Sequence, residues 1–267
     1  MDDRPIGVFD SGFGGLSVVR ALIDLAPGEE LVYAGDTGRY PYGPRPLAEV
    51  AAFAGQIARW LVGSAGVKMV VVACNTASAA ALDLLRFELE VPVLGVIEPG
   101  LAAALRATRN HRVGVIGTVG TIESGAYQRA AQSARSNVEL CCVACPGLVE
   151  LVEEDRCDGP AAHALVEALC LPLGHAGVDT LLLGCTHYPF LARTIADVMG
   201  RGVVLVSSAE ETAFEVRQIL AQTGLGRRSA GKAEHHFYSS GDPDAFVRLG
   251  SQLLGPELDR VEVPAWD

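Results

Sequence analysis

The chain has 267 residues, 49% of them hydrophobic, which suffices for a substantial core in one large or two medium domains. Its formal net charge of −11 excludes the basic face that a nucleic-acid partner requires. Lys68, Asn75 and Asp179 interrupt the longest apolar stretches before any reaches the 18 residues of a membrane span, so no membrane partner is expected.

The first residues, Met-Asp-Asp-Arg-Pro, lack the basic start and apolar stretch of a secretory signal, and the seven cysteines are odd in number. Both features point to reduced thiols in a cytoplasmic protein. The first strand, Ile6-Gly-Val-Phe-Asp10, runs into the turn Ser11-Gly-Phe-Gly-Gly15, where Ser11 is expected to cap the next helix. Pro41-Tyr42-Gly43-Pro44 reads as a rigid turn before a helix over Leu47–Val62. The apolar run Gly66-Val-Lys-Met-Val-Val-Val-Ala-Cys74 has the character of a buried parallel strand, followed by a helix over Ala77–Leu89 and a strand over Val91–Ile97. A second cycle starts with the strand Val113-Gly-Val-Ile-Gly117 and the turn containing Thr118 and Thr121. It continues through helices over Gly125–Ala134 and Ala161–Leu169, with a strand over Val138–Ala144 between them. The run Gly177-Val-Asp-Thr-Leu-Leu-Leu-Gly-Cys185 then repeats the earlier cysteine strand, and a helix over Phe190–Met199 and a strand over Gly202–Ser207 follow. Helices are expected over Glu210–Gln222 and Asp242–Leu254, with Arg227–Lys232 as an exposed loop between them.

The two cysteines fall at the same point of matched runs, 111 residues apart, and the flanking strands recur at nearly that offset. Alternating strands and helices with this repeat give an α/β fold of two pseudo-symmetric lobes, each a mainly parallel sheet flanked by helices. The expected division is 1–97 plus 208–267 for the first lobe and 98–207 for the second, with the active site in the cleft between them. Ligands of such sheets bind outside the carboxyl ends of the strands, where both thiols are delivered.

Taken alone, a buried cysteine is usually a small core residue. Cys74 stands out because Asn75 and Thr76 can cap the following helix, whose positive end stabilises a thiolate. Cys185 repeats the arrangement with Thr186 and adds His187, a candidate proton-transfer partner. Asp10 could hold an ammonium group or poise a thiol, and the backbone N–H groups of its turn could hold a carboxylate. Cys142 and Cys145 form a C-x-x-C, but they end a strand rather than open a helix, and no second ligand pair completes a zinc site. A Schiff-base cofactor would need a suitably placed lysine, and the sequence offers Lys68 within a strand and Lys232 within a loop. No metal or cofactor is therefore expected. A non-catalytic two-lobed solute-binding protein would account for the lobes but not for the paired thiols.

The motifs Phe9-Asp-Ser-Gly-Phe-Gly-Gly-Leu16, Gly35-Asp-Thr37 with Pro41-Tyr-Gly43, Ala73-Cys-Asn-Thr-Ala-Ser78, Ile116-Gly-Thr118 with Thr121, and Gly184-Cys-Thr-His-Tyr-Pro189 resemble those of the glutamate racemases, within the wider Asp/Glu racemase superfamily. The resemblance implies cofactor-independent interconversion of L- and D-glutamate, supplying D-glutamate for peptidoglycan, by a homodimeric enzyme. It implies Cys74 and Cys185 as the two bases, acting on D- and L-glutamate respectively, with Asp10, Glu153 and His187 assisting. Substrate contacts would come from Asp10, Ser11, Tyr42, Gly43, Asn75, Thr76, Thr118, Thr121, Thr186 and His187. One stretch departs from the family pattern, reading Cys145-Pro-Gly-Leu-Val-Glu-Leu-Val-Glu153. Glu153 keeps its register there, and Glu154 stands beside it as an alternative.

Overall fold

The structure is a computed structural model that describes residues 1–228, 233–258 and 260–266, so most of the Arg227–Lys232 loop, with Lys232, lies outside the described residues. The chain divides into two compact units, Met1–Val96 with Ala209–Asp267, and Ile97–Ser208.

The first unit is built on β1 (Ile6–Asp10), β2 (Leu31–Gly35), β3 (Met69–Val72), β4 (Val93–Gly95) and β9 (His235–Ser239), with helices α1 (Leu16–Leu25), α2 (Leu47–Gly63), α3 (Asn75–Glu88), α10 (Ala209–Thr223) and α11 (Pro243–Leu254). Its strands are ordered β4-β3-β1-β2-β9, all parallel. β1, β2 and β3 are buried at every residue, as expected of central parallel strands covered on both faces. Side chains alternate across the sheet. Ile6 and Val8 pack with α1, α10 and α11, whereas Phe9 packs with α2 and α3.

The second unit carries α4 (Ile97–Ala107), β5 (Arg112–Gly117), α5 (Val119–Glu123), α6 (Ala126–Ser133), β6 (Glu139–Ala144), α7 (Leu148–Glu153), α8 (Pro160–Ala176), β7 (Thr180–Gly184), α9 (Ala192–Met199) and β8 (Val204–Ser207). Its parallel sheet is ordered β6-β5-β7-β8. When β5, β6, β7 and β8 are matched to β1, β2, β3 and β4, the two sheets have the same strand order, and β9 is an addition to the first. The internal repeat is therefore one of topology as well as sequence. In both sheets the chain reverses its winding at the central strand, so the crevice for a ligand opens beyond the ends of β1 and β3, and of β5 and β7.

Several elements differ from the sequence expectation. The strand expected over Val91–Ile97 is limited to Val93–Gly95, because Ile97 already opens α4, whose Pro99 lies in the tolerated first turn. The expected helix Phe190–Met199 becomes a 3-10 turn, Tyr188–Leu191, followed by α9, with Pro189 at the start of the turn. The helix expected over Ala161–Leu169 extends over Pro160–Ala176.

Lys68 is fully buried just before β3, donating to Glu29 Oε2 at 2.5 Å and to the Asp2 carbonyl at 2.8 Å. That enclosure leaves no access for an aldehyde cofactor. Removing one partner of a buried ion pair strands the other charge. Lys68→Ala is expected to lower unfolding free energy by about 3–5 kcal/mol in urea titrations, with turnover per folded molecule unchanged.

Candidate active site

In the first unit, β1 and β3 lie side by side, and their carboxyl ends carry the two groups of interest. Beyond β1, Asp10 is fully buried, and its Oδ2 accepts from the N–H groups of Gly12 at 3.2 Å and Gly15 at 3.1 Å. A Cβ on Gly15 would sit 2.6 Å from that of Asp10, so only glycine lets the turn fold back onto the carboxylate. Asp10 Oδ1 is buried with no hydrogen-bond partner, an acceptor whose isolation is costly unless a ligand donor meets it.

These contacts correct one expectation and narrow another. Ser11 does not cap α1, whose N-cap is Gly15 with no side-chain bond. The N–H groups of Gly12 and Gly15 are committed to Asp10 and so are not open to a substrate carboxylate. Ser11 Oγ instead accepts from Cys74 Sγ at 3.7 Å, joining the ends of β1 and β3.

Cys74 is itself the N-cap of α3, and its sulfur accepts the Ala77 N–H at 3.5 Å. Asn75 and Thr76, expected to cap, are the first two helical residues, and both are buried. A sulfur in the capping position receives both the N–H and the positive end of the helix, which favours its anion. Tyr42 is buried among the residues of α2 and β2, and its hydroxyl donates to Asp36. Burial first, then the negative Asp36, hold the Tyr42 pKa well above that of an ordinary tyrosine. The phenol is thus held as a donor to Asp36 within the protein. A cis peptide joins Tyr40 to Pro41 at the start of this turn.

In the second unit, Thr118 follows β5 and Cys185 follows β7, directly after the paired residues Gly117 and Gly184. Thr118 caps α5, accepting from the Thr121 N–H at 3.4 Å, with the two hydroxyls 2.9 Å apart. Cys185 differs from Cys74 in that no α-helix begins at it; the 3-10 turn Tyr188–Leu191 comes next, capped by His187. A histidine takes the place of the helix end. Cys185 Sγ lies 3.9 Å from His187 Nδ1, Thr186 Oγ1 lies 3.5 Å from the same nitrogen, and Glu153 Oε1 lies 3.5 Å from His187 Nε2. Sulfur and imidazole are within hydrogen-bond reach of each other, and the Glu153 carboxylate is an ion-pair neighbour of the imidazole. Gly147, at φ 87°, turns the chain from β6 into the short α7 that ends at Glu153. Glu154 faces away and pairs with Arg156 at 2.8 Å, so Glu153 is the carboxylate that meets His187.

Cys145 is buried in the same core as Cys185 and Tyr188, and Tyr188 donates to its carbonyl at 3.1 Å. Burial pushes the thiols of Cys142 and Cys145 up to about 11 and about 12, opposite to the acidified thiol of a redox C-x-x-C. All seven cysteines are thiols rather than disulfides. Among the described residues no group of three His, Cys, Asp or Glu side chains could hold a metal ion, and no helix is long and apolar enough to cross a membrane. Sequence reasoning missed Asp36, a fully buried carboxylate beside the Tyr42 turn; its Gly35-Asp-Thr37 context was the available signal.

Residues 6–216 match the family model of the Asp/Glu/Hydantoin racemases. A glutamate racemase of Parafrankia sp. (strain EAN1pec) is 52% identical over 98% of this chain and 95% of its own length. Among solved structures, a glutamate racemase of Bacillus anthracis is 39% identical with a TM-score of 0.93, covering 99% of this chain and 98% of that one. A glutamate racemase of Francisella tularensis in complex with D-glutamate is 32% identical with a TM-score of 0.93, covering 100% of this chain and 99% of that one. By sequence and by fold, the chain belongs to the Asp/Glu/Hydantoin racemase family, among its glutamate racemases.

Proposed function

We propose that this chain interconverts L- and D-glutamate by a two-base mechanism in which Cys74 and Cys185 act on opposite faces of Cα. The observation that carries this reading is the pair of thiols at equivalent strand ends of two sheets with the same strand order. In one direction the thiolate of Cys185 takes the Cα proton of L-glutamate, the Cα–H bonding electrons stay on carbon, and the Cys74 thiol delivers its proton to the other face. Cys185 ends as thiol and Cys74 as thiolate, and the reverse direction exchanges their roles.

The local chemistry supports this division of labour. The Ala77 N–H and the start of α3 stabilise charge on Cys74, while His187, backed by Glu153, serves Cys185. Asp10 Oδ1 is a suitable acceptor for the substrate ammonium. Ser11, Asn75, Thr76, Thr118, Thr121 and Thr186 bring hydroxyl and amide groups to the same strand ends, and Tyr42 and Gly43 bring backbone groups. A developing carbanion needs such preorganised donors and the exclusion of water. D-glutamate made this way would serve peptidoglycan synthesis, and the resemblance extends the reading to a homodimer.

The test is polarimetry of purified protein with L-glutamate and separately with D-glutamate, without added cofactor. Loss of rotation from both sides to zero, at a rate unaffected by pyridoxal phosphate or a chelator and stopped by thiol alkylation, is the expected result. Activity that depended on pyridoxal phosphate, or that survived alkylation of both cysteines, would sink the mechanism.

A further inference from the structure

A carboxylate buried as deeply as Asp36 calls for an account of its hydrogen bonds, because its desolvation is costly unless every lone pair is met. Asp36 Oδ2 accepts from Arg39 Nε at 2.7 Å and from the Tyr42 hydroxyl. Asp36 Oδ1 accepts from Ser240 Oγ at 2.7 Å, and the Asp36 N–H donates to the Asp10 carbonyl at 3.0 Å. Three segments thus meet at one residue, the end of β1, the turn that carries Arg39, Tyr42 and Gly43, and the residue after β9, while Arg39 ties the turn to Gln56 in the middle of α2. Ser240 reinforces the join by accepting from the Gly38 N–H at 2.9 Å, and Thr37 does so through Ser239 at 2.6 Å and the Gly241 N–H at 3.0 Å.

Between β2 and α2 the chain has no strand or helix to fix it, so side-chain contacts to Asp36 set the placement of the turn relative to Asp10. We propose that Asp36 is a positioning residue that holds the Tyr42–Gly43 turn beside the Asp10–Cys74 half-site, and that Ser240, delivered by β9, is part of that support. The proposal rests on the glutamate-binding reading of this turn. It assigns the segment after β9 a role in substrate affinity, although none of its residues is placed in contact with substrate.

The decisive experiment is steady-state kinetics, in both directions, of wild type, Ser240→Ala, Tyr42→Phe and Asp36→Asn. Ser240→Ala and Tyr42→Phe each remove a hydrogen bond to Asp36 without removing a backbone group of the turn. Each is expected to raise KM for glutamate about five- to tenfold, the size set by one buried hydrogen bond, while kcat changes less than about twofold. A purely structural role would instead lower the melting temperature and leave KM of the folded protein unchanged. An unchanged KM in both variants, beside a wild type that racemises glutamate, overturns the proposal whether or not Asp36→Asn folds. Failure of the glutamate reading itself would be visible in the wild type, and so is distinct from failure of the positioning role.

Discussion

Cys74→Ala and Cys185→Ala are each expected to lower kcat/KM for both enantiomers by at least about 10³-fold, within the range that a positioned acid or base contributes. Both directions fall together because each needs one thiolate and one thiol. The sulfur sits at the boundary of a strand and a loop, so the fold should persist, and circular dichroism with a melting curve checks this. A partial reaction separates the two faces. In deuterium oxide, Cys74→Ala keeps Cys185 and should slowly exchange the Cα proton of L-glutamate without inverting it, whereas Cys185→Ala should do so with D-glutamate. Exchange of the opposite enantiomers would reverse the assignment, and near-wild-type turnover in either variant would remove the two-base mechanism.

For His187→Asn a fall of about 10²-fold in kcat/KM is expected, since the imidazole stands 3.9 Å from Cys185 and can exchange a proton with it. The equilibrium constant of a racemisation is one, so kcat/KM must remain equal in the two directions. The asymmetry of the site is therefore hidden from simple rates and emerges in isotope effects. With Cα-deuterated substrates, the variant should raise the primary effect for L-glutamate, whose proton is assigned to Cys185, and lower that for D-glutamate, because reprotonation at Cys185 then limits the rate from that side. Equal effects from both sides would detach His187 from Cys185. Glu153→Gln acts only through the imidazole, 3.5 Å away, and should cost less than His187→Asn.

The two cysteine strands were legible because a run of Val or Leu buried on both faces leaves an unbroken apolar signature, and their repeat revealed the doubled topology. Less visible were β2, Leu-Val-Tyr-Ala-Gly, and β9, whose His-His-Phe-Tyr-Ser reads as polar because an edge strand leaves His236 exposed. α4 was obscured by its Pro99-Gly100 pair. At the site, Cys74 as its own helix cap ran against the usual preference for Ser, Thr, Asp or Asn. The Cys185–His187 contact could be anticipated from adjacency. That of Glu153 depended on the left-handed Gly147 and on a helix of a single turn or two, and no local pattern specifies where such a helix ends. The Asp36–Ser240 bond joins residues 204 positions apart, and only the pairing of β9 with β2 brings them together.

That same pairing has a consequence for how the protein is made. The second unit is continuous in sequence, but the first begins before it and is completed after it. On the ribosome, β2 emerges early, and its partner β9 follows only once the whole intervening unit has been synthesised, with Gly35 and His235 separated by 200 residues. At about 5–20 residues per second, the apolar edge Leu31–Gly35 stays unpaired for roughly 10–40 s of each synthesis. An uncovered edge of this kind invites pairing with other nascent chains. The second unit, continuous in sequence, is therefore synthesised whole before the strand that completes the first unit's sheet.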